Sequence, residues 1–174
     1  MKFDVIVIGG GWAGCTAAEK LADSGASVCV VSEGLSLAST GYESPYIRHS
    51  GLQKKGVAIL AGDRVLAGTV KDGKVTGLYT RSLGKTSPLV ADEYILATGK
   101  FFSRGLLSDK DHVWEPVFGA DVEYEPDRSK WFNPDFEAPQ PFLKFRVKTD
   151  EQGHVIVGGR AIVNLKAVGD ICNE

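Results

Sequence analysis

Phe3-Asp4-Val5-Ile6-Val7-Ile8-Gly9-Gly10-Gly11-Trp12-Ala13-Gly14 is the stretch that decides the fold of this chain. The run before Gly9 is apolar except at Asp4, as in a parallel strand buried on both faces. It is too short to cross a membrane, and it lacks the small-residue cleavage site of a secretory leader. Gly9, Gly11 and Gly14 fit G-x-G-x-x-G. The first glycine allows the tight turn out of the strand, the second lets a phosphate approach the backbone, and the third lets the helix pack on the strand. A helix is predicted over 12–24, because Ala13, Ala17, Ala18 and Leu21 share a face at helical spacing. Gly25 ends it, and 27–31 reads as a second buried strand. A glycine loop that opens the helix of a β-α-β unit has the context that gives the motif its specificity. The first N–H groups of that helix and its positive dipole end then face a phosphate. The competing reading is a glycine turn in a doubly wound fold that holds no nucleotide.

Working outward, 34–44 is rich in Gly and Ser and reads as a loop. The spacing allows a helix over 45–55 and a short strand over 57–60. Two strands, 64–70 and 75–81, flank Asp72-Gly73, a strong short hairpin signal. A third strand is expected at 88–91, and a separate apolar strand at 93–97, closed by Thr98-Gly99. The segment 101–140 carries four prolines, Trp114 and Trp131 with no period, and reads as an irregular functional excursion. Strands at 142–148 and 155–157 are expected to form a hairpin turned by Asp150 to Gly153. A last strand, 161–168, ends at Gly169-Asp170. The chain is thus read as α/β: a Rossmann-like FAD/NAD(P)-binding fold, a parallel sheet with an antiparallel three-stranded ribbon, in one domain over 1–174.

A chain of 174 residues can bury a sizeable core. Its net charge of -2 gives no electrostatic reason to expect nucleic acid. Cys15, Cys29 and Cys172 include no C-x-x-C pair and no histidine at metal-ligand spacing, so reduced thiols in the cytoplasm are expected and no metal. Cys15 stands at a helix start, where a thiol pKa tends to fall. A small side chain packed under the helix is the competing reading.

An acid at the end of the second strand ordinarily binds an adenosine ribose. Counting from Gly9, that place falls on Ser32, and Glu33 comes one residue late. A one-residue slip in an extended chain turns a side chain to the other face. Glu33 is therefore read either as a displaced ribose acid or as a solvated surface acid.

Ala97-Thr98-Gly99 resembles the A-T-G strand end of a flavoprotein class. Ile162 to Asp170 resembles the last strand of the same class, in which the aspartate accepts a hydrogen bond from the flavin ribityl chain. Narrower stretches resemble the B-type subunit of anaerobic glycerol-3-phosphate dehydrogenase: Gly62-Asp63-Arg64-Val65, 75–81, 95–106, 115–119, 141–143 and 147–150. The resemblance implies a flavin cofactor, FMN or FAD, held by Gly9, Gly11, Trp12, Ala13, Gly14, Ser32, Glu33, Thr98, Gly99, Gly169 and Asp170. It also implies oxidation of glycerol 3-phosphate to dihydroxyacetone phosphate. A partner dehydrogenase subunit and an iron–sulfur subunit that attaches to the inner face of the membrane and leads to quinone come with it. Family members are longer, with an inserted segment between about 41 and 56 and a helix after Asp170. The resulting expectation is a shortened form of a longer protein or a reduced homologue that needs a partner.

Lys100, Ser103 and Arg104 lie just past a strand end, where ligands sit in open α/β sheets. Basic groups there suit a substrate phosphate. No catalytic base is assigned; His49, His112 and His154 are read as ordinary surface histidines. Trp114, Trp131, Phe101, Phe102, Phe118, Phe132 and Phe136 are shared between core packing and a candidate partner surface. Beside the dehydrogenase reading stand a partner-dependent nucleotide-binding or electron-transfer module without catalysis of its own, and a small NAD-binding domain.

Overall fold

The computed structural model describes residues 2–34 and 45–173, without the side chains of residues 45–47 and 85. The loop expected over 34–44 lies, beyond Gly34, outside the described residues.

The β-α-β unit forms as the sequence reading expects. Strand β1 (Lys2–Ile8) leads through the glycine loop into helix α1 (Trp12–Asp23), and β2 (Val28–Ser32) follows. β1 and β2 pair in parallel, Val5 with Val28 through Ile8 with Val31. The last four residues of β1 and all of β2 are buried. Helix α2 (Pro45–Lys54) leads to β3 (Ala58–Ala61), which adds to β2 in parallel.

The ribbon follows, with β4 (Val65–Lys71) and β5 (Lys74–Thr80) turned by Asp72-Gly73. The third ribbon strand and the apolar strand after it are one continuous strand, β6 (Gly84–Leu96). Its first half pairs antiparallel with β5. Its second half pairs in parallel with β1, from Lys2 against Val90 to Ile8 against Leu96. Pro88 does not break it. The missing N–H falls before Val90, where the pairing with β1 begins, so it removes no ladder bond on that side. One strand thus ties the ribbon rigidly to the nucleotide-type sheet.

The excursion contains short paired pieces. β7 (Leu107–Ser108) pairs with β8 (Val113–Trp114), and β9 (Val122–Glu123) pairs with β10 (Arg146–Val147). Trp131 is buried among Tyr124 and Phe145, with edge-to-face ring contacts. Phe118 is buried and Phe101 packs on Phe142, whereas Phe102, Phe132 and Phe136 are exposed.

The expected hairpin between 142–148 and 155–157 forms over fewer residues. Pro141–Lys144 is a 3-10 helix, and the antiparallel pairing is confined to the turn at Asp150 to Gly153, where Thr149 bridges to Val155 and the Ile156 N–H donates to the Lys148 carbonyl at 3.0 Å. Strand β11 (His154–Val157) instead turns back through Gly158-Gly159 into β12 (Arg160–Ala167). Both glycines have positive φ, 57° and 76°, as the tight hairpin turn needs. The turn is held by Asp121, whose carboxylate accepts the N–H of Gly158 and of Gly159, each at 2.8 Å. β12 then pairs in parallel with β6. The sheet order β11-β12-β6-β1-β2-β3 brings the ends of β1, β2, β6 and β12 to one edge. Two apolar layers flank it, one around Ile6, Tyr94, Leu96 and Leu165, the other around Val7, Val30, Cys15 and Ala18. Each such buried aliphatic chain contributes roughly 1.5–3 kcal/mol.

Candidate functional site

The carboxyl ends of these strands open into one cleft of about 1270 Å³. The glycine loop supplies Gly9, Gly11, Trp12 and Ala13. Ser32 and Glu33 follow β2, Thr98 and Gly99 follow β6, and Gly169 and Asp170 follow β12. Ten of the eleven cofactor positions read from the sequence therefore share one wall, all but Gly14.

The glycines divide their work. A Cβ on Gly9 or Gly14 would strike backbone: the Ala97 carbonyl in one case, the Gly9 carbonyl in the other. A Cβ on Gly11 would meet nothing within 4 Å. Its backbone, φ -76° and ψ -174°, is open to any residue. Gly14 is thus demanded by helix-to-strand packing, whereas packing demands nothing at Gly11, and the space over it forms an open cradle in the cleft. Helix α1 begins there with no side-chain cap and no acid in its first turn. Its first N–H groups, which have no intrahelical partner, point into the cleft with the positive end of the helix dipole. This fits a phosphate group.

Asp170 is exposed on the 3-10 helix after β12 (Gly169–Ile171), and it lines the cleft as a carboxylate acceptor. Thr98 lines the cleft too, but its hydroxyl is buried and without a hydrogen-bond partner among the described residues. Trp12 is exposed at the mouth, with the Arg48 guanidinium 4.6 Å from its ring centre.

Ser32 is buried at the end of β2. Glu33 lies in the bend after the strand, where the alternation of an extended chain no longer applies, and it lines the cleft. It is exposed there and paired with arginines. Its Oε1 accepts from Arg81 and Arg104, each at 3.3 Å, and lies 3.8 Å from Arg64. Arg64 and Arg81 sit side by side at the base of the ribbon, where the Arg81 N–H donates to the Arg64 carbonyl at 2.9 Å.

Lys100, Ser103 and Arg104 do not converge on one point. The Lys100 ammonium reaches the Leu143 carbonyl, and Ser103 donates to the Thr98 carbonyl at 2.6 Å. Arg104 turns the other way, to Glu33. A smaller recess joins Lys100, Phe102, Ser103, Leu143 and Asp170. None of the three histidines is among the lining residues of the cleft.

Sequence reasoning missed Asp63 and Arg64, Arg81 beside them, and also Pro116 and Val117, which close one side of the cleft. Gly62-Asp63-Arg64 stood among the family stretches and was the available signal. Asp63 is buried, and its Oδ1 accepts the N–H of Arg64 at 2.8 Å and of Ser82 at 3.0 Å. Burial pushes its carboxyl up, but the Thr80 hydroxyl and those two N–H groups outweigh it and hold the group below its usual range. A depressed folded pKa means stability that is present above the unfolded value, about 3.9, and lost as pH falls through the folded one. Asp63→Ala is expected to cost about 2 kcal/mol near pH 7. Denaturant melts at pH 7 and pH 3 check this, since the gap between wild type and variant should narrow at the lower pH.

Glu115 does similar work in the turn that packs against β4. Burial holds its carboxyl above the usual range, against the pull of the Phe118, Val117 and Ala120 N–H groups it accepts. It thereby fixes the turn that presents Pro116 and Val117. All three cysteines are free. Burial pushes the Cys29 thiol up to about 11 and raises that of Cys15 despite the nearby Arg48, so Cys15 packs under the helix and is no activated thiolate. No helix among the described residues is long and apolar enough to cross a membrane.

The parallel sheet, the cradle over Gly11 and the convergence of three strand ends define a nucleotide-cofactor oxidoreductase domain of the Rossmann type. A family model described as pyridine nucleotide-disulphide oxidoreductase matches residues 3–123, and the chain belongs to that family. Within it, the chain is similar to the B-type subunit of anaerobic glycerol-3-phosphate dehydrogenase. It is 39% identical over 125 residues to that subunit from Yersinia enterocolitica serotype O:8 / biotype 1B, covering 72% of this chain and 29% of the relative. It is 37% identical over 125 residues to that of Vibrio cholerae serotype O1, covering 71% and 28%. The chain therefore spans less than a third of the length of these relatives. Among solved structures, Thermoplasma acidophilum thioredoxin reductase superposes with a TM-score of 0.54 at 15% identity, covering 98% of this chain and 90% of that one. That likeness carries the fold alone.

Proposed function

We propose that this chain is the flavin-binding part of an oxidoreductase that acts as the B-type subunit of an anaerobic glycerol-3-phosphate dehydrogenase does. The observation that carries the proposal is the meeting of the Gly11 cradle, the Thr98-Gly99 strand end and Asp170 in one cleft. The cradle and the first N–H groups of α1 hold the flavin phosphate, FMN or FAD, without a side-chain cap to compete for them. Asp170 accepts a hydrogen bond from the ribityl hydroxyls and fixes the register of the flavin along the cleft. A bound flavin supplies the two-electron acceptor for oxidising the secondary alcohol of glycerol 3-phosphate to the ketone of dihydroxyacetone phosphate. Lys100, which lines the adjoining recess with Asp170, is assigned the substrate phosphate.

The names of the relatives support partner subunits for this chain. We assign it a partner dehydrogenase subunit and an iron–sulfur subunit at the inner face of the cytoplasmic membrane, through which electrons reach quinone. The exposed Phe102, Phe132 and Phe136 are among the apolar side chains that such contacts would cover.

Two measurements test this reading. Anaerobic addition of glycerol 3-phosphate should bleach the flavin of the complex reconstituted with its partners, and persistent colour would leave a nucleotide-binding module without this activity. In flavin titrations, Asp170→Ala should raise Kd about tenfold and Glu33→Ala less than about threefold. The reverse order would place an adenosine-bearing ligand on Glu33 instead.

A further inference from the structure

Three arginines from separate parts of the chain meet on one carboxylate oxygen at the Ser32 end of the cleft. Arg64 stands just before β4 at the start of the ribbon, Arg81 at the turn between β5 and β6, and Arg104 in the loop after β6. Arg81 and Arg104 lie 48 and 71 residues from Glu33 in sequence. Their placement is built. Asp63 fastens the backbone of Arg64 to that of Ser82, and so fixes Arg64 and Arg81 as neighbours. Arg104 sits at φ 61°, a left-handed conformation that a residue with a side chain holds only when its surroundings impose it.

The charges do not balance. Each guanidinium carries five N–H donors, and the three share one acceptor oxygen. Counting Glu33 and the ionised Asp63 against three arginines leaves one net positive charge. Asp63 spends its oxygen on backbone N–H groups rather than on the guanidiniums. Arg64 and Arg104 line the cleft, and the Arg81 and Arg104 side chains are more than half exposed, so the cluster lies open to solvent at the rim of the cleft. A carboxylate offers them one oxygen, whereas a phosphate monoester offers three with nearly twice the charge. Planar guanidiniums suit that group bidentately.

We propose that Arg64, Arg81 and Arg104 form a second phosphate subsite of the cleft, for a phosphate monoester, with the Glu33 carboxylate as the resident anion that it displaces. The proposal rests on the nucleotide reading of the cleft. It extends the range of ligands to those that carry a phosphate at the end remote from Asp170. Glu33 is then a specificity-determining residue with an unusual sign: it weakens the binding of such ligands instead of strengthening it.

Calorimetric titration of the full chain with 2′,5′-ADP, 5′-AMP and inorganic phosphate tests this, with FMN titrated separately. Wild type should bind 2′,5′-ADP about tenfold tighter than 5′-AMP. Arg81→Gln with Arg104→Gln should erase that preference and leave FMN binding unchanged. Glu33→Gln should increase the preference by freeing the guanidiniums. Inorganic phosphate that competes with 2′,5′-ADP at similar strength supports the subsite as a site for the free anion. Phosphate that fails to compete supports it as a site for an anion carried on a nucleotide. Equal affinity for 2′,5′-ADP and 5′-AMP while FMN still binds would overturn the subsite and leave the flavin reading standing. Weaker 2′,5′-ADP binding by Glu33→Gln would overturn it as well, and make Glu33 an ordinary strut of the ion cluster. Discrimination without FMN binding would support the subsite and count against the flavin reading.

Discussion

Gly11→Val abolishes flavin binding and leaves a folded protein. The space over Gly11 is open, since an added Cβ meets no protein atom within 4 Å. The backbone there is extended and admits any residue. Valine therefore fits the apo fold at little cost and fills the volume where the phosphate must approach the first N–H groups of α1. Losing those charge-assisted hydrogen bonds costs about 3 kcal/mol, a factor of about 100 in Kd. Flavin titration by fluorescence quenching reads the loss, and thermal melting of the apo protein should show Tm lowered by no more than about 4 °C, the cost of valine for glycine at the N-cap of α1. A variant that still binds flavin as wild type does would remove the phosphate from the glycine loop.

Gly14→Val has the opposite signature. Gly14 is buried, and its Cβ would run into the Gly9 carbonyl and lie 3.3 Å from the Ala97 side chain. The helix cannot retreat without breaking the packing of Cys15 and Ala18 beneath it. We expect a loss of at least about 3 kcal/mol and a fall in Tm of roughly 10 °C. Flavin binding fails here because the fold fails. Melting curves for the two variants side by side separate the roles of the second and third glycines. A Gly14→Val protein as stable as wild type would contradict the close approach of α1 to β1.

The β-α-β unit was legible because every signal for it is local. A six-residue apolar run, a glycine turn and an alanine-rich face leave few alternatives. Asp170 and the Thr98-Gly99 strand end were legible as motifs, and the sheet order explains why they belong together: parallel β6 and β12 finish at the same edge. What escaped was non-local or set by competition. The strands expected at 88–91 and 93–97 read as separate, yet β6 runs through both, because its partner changes from β5 to β1 without a turn. The hairpin after His154 went to Gly158-Gly159, whose N–H groups are held by Asp121, 37 and 38 residues away. No local pattern announces that anchor. The same holds for Glu33. Strand alternation alone turns it away from the cleft, but β2 ends at Ser32 and three distant arginines draw the acid inward. Among the aromatics, Trp131 is 5% exposed and Phe136 is 94% exposed, and no period in this irregular segment tells them apart.

The most direct test of flavin binding in this cleft is the absorption spectrum of the purified protein, with mass spectrometry of whatever heat releases. Flavin bands and the release of FMN or FAD are expected, in the preparation or after added flavin is taken up. A colourless protein that refuses added flavin would contradict the assignment.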